Sequence, residues 1–179
     1  MSFAPARRYR DMTNPEPIVL FGTQFTLMLV AYALLGVWYV SPRLSRLAVP
    51  AALAPLLWVH AFRVVGGTIL APGSVDAGVA PAFRAMVGYG DLATGVLAMV
   101  ALIALRIRFS GAIALVWIVV AVGTIDTINA IIQSIRYDVV AHDLGLNWLI
   151  VTAYVPALLV SSVLIVMQLL RSDRSAGSA

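Results

Sequence analysis

Cysteine and lysine are both missing from this chain of 179 residues, and only 11% of its residues are charged. Without cysteine there is no thiolate metal ligand, no thiol nucleophile and no disulfide to mark a compartment. Without lysine there is no side-chain amine for a Schiff base, which removes retinal binding and related carbonyl chemistry. A soluble domain carries about a quarter charged residues, so the shortage of charge already argues against one. H-E-x-x-H, G-x-S-x-G and any lysine-bearing phosphate loop are also absent. Gly88-Tyr89-Gly90-Asp91 lacks the spacing of a phosphate cradle and carries a carboxylate that would repel the phosphate.

What is present is apolar: 61% of the residues are hydrophobic and the mean hydropathy is +0.96. Five continuous runs reach the roughly 20 residues needed to cross the hydrocarbon core as helix: 18–40, 48–70, 83–105, 109–133 and 147–170. A membrane barrel of strands would instead show alternating segments of roughly ten residues. Backbone groups in lipid must find partners within the segment, which leaves helices. The first run is too long for a signal-peptide core and no small-residue cleavage site follows it, so it is retained as a helix. The expected fold is all-α, an integral membrane bundle of five transmembrane helices, with tails over 1–17 and 171–179. Breaker and polar residues fill the connectors, among them Ser41-Pro42-Arg43 and Ala71-Pro72-Gly73-Ser74.

The net charge of +4 does not point to nucleic acid, because the arginines are scattered in ones, twos and threes, mostly at the ends of apolar runs. The bilayer is the expected partner. Arg43, Arg46, Arg106, Arg108, Arg171 and Arg174 follow the first, third and fifth runs, whereas the connectors after the second and fourth hold Arg136, with Arg84 at an edge, together with Asp76, Asp138, His142 and Asp143. The positive-inside rule then favours an N-terminus outside, although Arg7, Arg8 and Arg10 weigh the other way. Abundant alanine, valine and arginine without lysine suggests a GC-rich bacterial genome and hence the inner membrane.

The informative residues are the polar ones inside the runs, since ionisable groups at mid-membrane are costly and rare unless paired or functional. At about 1.5 Å per residue, measured from the end bearing the second and fourth connectors, Gln24 lies about 9 Å deep. Arg63, Asp126 and Tyr154 lie about 10 Å, Asp91 about 12 Å and His60 about 15 Å. Five helices thus put a polar group into one thin layer, while the other half of each run is nearly pure hydrocarbon apart from Tyr32, Ser161 and Ser162. Helical spacing gives three stripes: His60, Arg63, Gly67; Arg84, Gly88, Asp91, Gly95; and Gly123, Asp126, Ala130, Gln133 with Asn129 beside them. Small residues beside the charges let membrane helices approach closely, so these faces are expected to meet. Two arginines, Arg63 and Arg84, would balance Asp91 and Asp126 and leave His60 as the group able to titrate near neutrality. Pro156 cannot donate, so the Thr152 carbonyl loses its helical partner beside Tyr154.

These residues suit a buried polar pocket for a small amphipathic or lipid-like molecule. His60, Asp91 and Asp126 are the candidate catalytic groups for cofactor-independent isomerisation, cyclisation or hydration. Arg63, Arg84, Asn129, Tyr154 and Gln24 are the candidate ligand contacts. Haem on His60 is a variant of this reading. The alternatives are proton transport through Asp91, Asp126 and His60 in a small carrier or channel, built as a homo-oligomer, and a structural assembly subunit in which the charges only hold helices together. The Asp138-x-x-x-His142-Asp143 run could ligate a metal, but a solvated loop accounts for it and no metal site is expected.

Overall fold

The computed structural model describes residues 16–176; Arg7, Arg8, Arg10 and the rest of the expected N-terminal tail up to residue 15 lie outside them. Five helices are long and apolar enough to span a membrane: α1 (Pro17–Leu44), α2 (Val49–Leu70), α3 (Pro81–Arg106), α4 (Ala112–Arg136) and α5 (Asn147–Arg171). No strand occurs among the described residues, so the protein is an all-α, multi-pass membrane bundle. Proline in the first two helical positions opens α1, α2 and α3, where its missing N–H has no helical partner to lose. Arg106 and Arg136 sit in the last turns of α3 and α4, beside the negative end of the helix dipole.

Three departures from regular α winding shape the bundle. Ser41-Pro42-Arg43 does not break α1: the N–H of Ser41 reaches back five residues to Gly36, making a π turn over Gly36–Val40 directly before Pro42. In α5 the N–H of Val155 does the same to Ile150, directly before Pro156. A proline removes one rung of the helical ladder and its ring crowds the carbonyl four residues back. Widening the preceding turn absorbs that clash and keeps the helix continuous. The third departure is the second part of α2, Phe62–Leu70, which winds as a 3₁₀ helix. α5 winds on as helix to Ala176, past the end of its apolar run at Leu170.

α2, α3, α4 and α5 enclose the interior, whereas α1 leans on α5 and buries almost nothing. Two apolar cores result. The larger, including Leu53, Leu57, Ala98, Val116, Val119 and Ile165, fills the half bearing the first and third connectors. The smaller, of Ile69, Val79, Phe83, Val139 and Leu144, closes the opposite end. There the second and fourth connectors are tied together. Asp76 N–H donates to the Asp143 carbonyl at 2.8 Å, and Asn147 both accepts from Thr68 Oγ1 and donates to the Ser74 carbonyl, each at 3.1 Å. Between the two cores, along α2, α3 and α4, lie Arg63, Asp91 and Asp126.

Candidate functional site

The change of winding in α2 positions the site. A 3₁₀ helix has three residues per turn, so side chains three apart eclipse one another, and the buried residues of this segment are Arg63, Gly66 and Ile69. The α-helical stripe His60, Arg63, Gly67 is therefore corrected: beyond Arg63 it continues through Gly66, while Gly67 packs against Leu92. The expected stripe on α3 does face α2. Gly88 meets Leu70, Asp91 meets Gly66 and Arg63, and Gly95 meets Val64 and the Ala61 carbonyl.

Arg63 joins three helices. Its Nε donates to Asp91 Oδ1 on α3 at 2.5 Å and its Nη2 to Asp126 Oδ2 on α4 at 2.6 Å. Its Nη1 donates to the Gly123 carbonyl at 3.0 Å. The guanidinium is sealed, at 3% exposure, whereas the Asp91 and Asp126 side chains keep 14% and 18%. The rigid fork of arginine suits this role, since it addresses separate acceptors in fixed directions. The second oxygen of each carboxylate lies against a helix backbone where only glycine fits: Asp91 Oδ2 against Gly66 and Asp126 Oδ1 against Gly90. A methyl at Gly90 would collide with Asp126 Oδ1. Gly90→Ala is expected to destabilise the protein by roughly 1 to 3 kcal/mol, the usual cost of overpacking. Detergent unfolding measures the loss, and an unchanged midpoint would count against this close approach.

The other candidates divide. His60 is fully buried one turn before Arg63, with Nε2 3.1 Å from Ser161 Oγ and 3.5 Å from Ser162 Oγ on α5. Its Nδ1 has no hydrogen-bond partner among the described residues and lies beside Gly123. Nε2 is engaged by the two serines and Nδ1 lies beside Gly123, so the surroundings of His60 lend haem binding no support. Arg84 does not join the cluster. It sits one turn into α3, and its Nε donates at 3.2 Å to the Ile69 carbonyl near the end of α2, so the expected balance of two arginines against two aspartates fails. Gln24 is also elsewhere, its amide oxygen accepting from Trp148 Nε1 at 2.6 Å. Tyr154 donates its hydroxyl to the Val59 carbonyl, just before α2 changes winding. Asn129 Nδ2 lies 3.1 Å from Met86 Sδ, at the margin of the triad. Ser161 and Ser162, which the sequence marks only as interruptions of the apolar half, turn out to be the neighbours of His60. Their spacing from it along separate helices carried no signal.

Two cavities stand out, and neither is lined by His60, Arg63, Asp91 or Asp126. One of about 540 Å³ opens between the start of α1 and the fourth connector, against Pro17, Leu20, His142, Asp143 and Trp148. In that connector His142 Nδ1 lies 3.6 Å from Asp76 Oδ1. Among the described residues no three His, Cys, Asp or Glu side chains gather as a metal site.

No curated protein and no solved structure matches the chain. A family model covers residues 20–170, which includes most or all of each of the five helices and Arg63, Asp91 and Asp126. On that match the chain belongs to the family described as "Domain of unknown function (DUF8737)".

Proposed function

We propose that the protein moves protons across the membrane, with Arg63, Asp91 and Asp126 as the site that takes up and releases each proton. The observation that carries this reading is the charge count at contact distance. One guanidinium lies 2.5 and 2.6 Å from two carboxylates, and Arg84, the only other cation considered for the layer, is bonded to a carbonyl instead. With both carboxylates ionised the triad carries one net negative charge, which is costly inside a bilayer. One proton makes it neutral. The triad therefore has two states that differ by a single proton, and the partly exposed carboxylates form its accessible side. The N-terminus is assigned outside and the membrane is taken as a bacterial inner membrane, on the arginine distribution and the composition.

A bound amphipathic substrate at His60, Arg63, Asp91 and Asp126, with acid/base catalysis there, has less support, because the guanidinium is occupied by two carboxylates and a carbonyl. The test is proton flux into proteoliposomes loaded with a pH-sensitive dye and energised by a potassium diffusion potential. Wild-type protein is expected to acidify the lumen faster than protein-free vesicles, and Asp91→Asn or Asp126→Asn to abolish the difference. Equal rates for wild-type and empty vesicles would refute the reading.

A further inference from the structure

The Asp138-x-x-x-His142-Asp143 run takes no part in the triad, yet its last two residues border the cavity of about 540 Å³ at the start of α1. That volume falls within the roughly 300 to 1,000 Å³ of small-molecule sites. Pro17 opens the span of α1 and Asn147 that of α5, so the cavity lies where two helices reach the membrane surface, with lipid on one side and water on the other. Its walls differ accordingly. Pro17, Leu20 and Leu144 make one side apolar, His142 and Asp143 bring polar groups, and the Trp148 ring stands with them. No arginine is among the described residues that line it.

The polar and aromatic groups are held in place by the protein itself. The Asp143 carbonyl accepts from Asp76 N–H at 2.8 Å and its Oδ1 from Gly145 N–H at 2.8 Å, while its Oδ2 accepts from none of the described residues. His142 is paired instead, with Nδ1 3.6 Å from Asp76 Oδ1, and lies so close to Gly78 that a Cβ there would stand 2.6 Å from its Cε1. Trp148 is fixed from α1, where Gln24 Oε1 accepts from Nε1 at 2.6 Å and the Phe21 ring packs at right angles with centroids 5.4 Å apart. The indole N–H is therefore engaged, and the ring gives the cavity aromatic surface. Gln24, which does not join the triad, positions this wall.

We propose that the cavity binds an amphipathic amine, a primary ammonium on an apolar tail. The head donates to Asp143 Oδ2 beside the Trp148 ring, and the tail runs along Leu20 toward lipid. A carboxylate with one open oxygen calls for a cation and repels an anion. An aromatic ring next to it favours an ammonium, which is drawn to the negative face of the ring. The apolar wall calls for the tail, since a head alone would leave Leu20 and Leu144 uncovered. A free alkylamine and the headgroup of an ethanolamine phospholipid both carry this chemistry. The triad lies elsewhere, so binding here stands or falls apart from proton movement.

The probe is dodecylammonium added to the full chain in maltoside micelles, read by the ¹⁵N-indole signal of Trp148. The chain has four tryptophans, and Trp148→Phe assigns the signal. A saturable shift is expected with dodecylammonium, and none with dodecanol, which lacks the charge, or with ethanolamine, which lacks the tail. Asp143→Asn keeps an oxygen for the Gly145 N–H, so it is expected to melt as wild type while binding about tenfold more weakly, the weight of a charge-assisted hydrogen bond. Leu20→Trp fills the cavity from its apolar wall and is expected to abolish the shift. Absence of saturation, an equal shift with dodecanol or ethanolamine, or wild-type affinity in either Asp143→Asn or Leu20→Trp would overturn the site. Nanodiscs separate the two sources. A Trp148 shift when phosphatidylethanolamine replaces phosphatidylcholine, whose head cannot donate, supports a lipid headgroup; no shift there, with dodecylammonium still bound, supports a free amine.

Discussion

Arg63→Met is expected to destabilise the protein by roughly 3 to 5 kcal/mol, the cost of leaving buried charge without its counter-ion. Among the described residues Arg63 is the one cation paired with Asp91 and Asp126, and it also satisfies the Gly123 carbonyl. Removing it strands two carboxylates between α2, α3 and α4 and unlinks the three helices at once. The loss is read as a lower midpoint in denaturing-detergent titration and a smaller folded yield. Combining Arg63→Met with Asp91→Asn and Asp126→Asn should recover much of the stability, because neutral replacement of a whole buried ionic group is often tolerated. An Arg63→Met protein as stable as wild type would mean that the guanidinium does not hold the bundle together.

The two aspartates should behave unequally alone and together. Asp91→Asn leaves Arg63 paired with Asp126, one positive against one negative charge, and the new amide oxygen can still accept from Nε. The expected loss is roughly 1 kcal/mol, the difference between a charge-assisted and a neutral hydrogen bond. Asp126→Asn is expected to match it. The double variant leaves a guanidinium with no anion and should lose roughly 3 to 5 kcal/mol, well beyond the sum of the two single changes. A double-mutant cycle by detergent unfolding measures the excess. Strict additivity would contradict a shared cation.

The five helices were legible in the sequence because uninterrupted apolar runs of membrane length have few other physical outcomes. The meeting of Arg63, Asp91 and Asp126 was legible for a related reason: ionisable groups at one depth in hydrocarbon have little to pair with except one another. What escaped depended on local winding and on contacts between helices. Counting by 3.6 put Gly67 beneath Arg63, but the 3₁₀ segment puts Gly66 there. No residue in Phe62–Leu70 marks that switch in advance. Ser41-Pro42-Arg43 looked like a break, since nothing in the sequence shows that a π turn at Gly36–Val40 lets the helix continue past Pro42. Arg84 lay within reach of the layer by depth, yet a long side chain near a helix end finds a carbonyl more cheaply than a buried carboxylate. Its departure turned an expected neutral cluster into one with an odd charge, and that difference supports the proposed function.

The central claim is that the triad holds one exchangeable proton, and infrared difference spectroscopy of the protein in lipid tests it most directly. The account predicts one carboxylic-acid carbonyl stretch per chain that shifts in heavy water. It should be missing from Asp91→Asn and from Asp126→Asn alike, since either change leaves a neutral pair that needs no proton. A spectrum with no such band, or a band that persists in both variants, would contradict it.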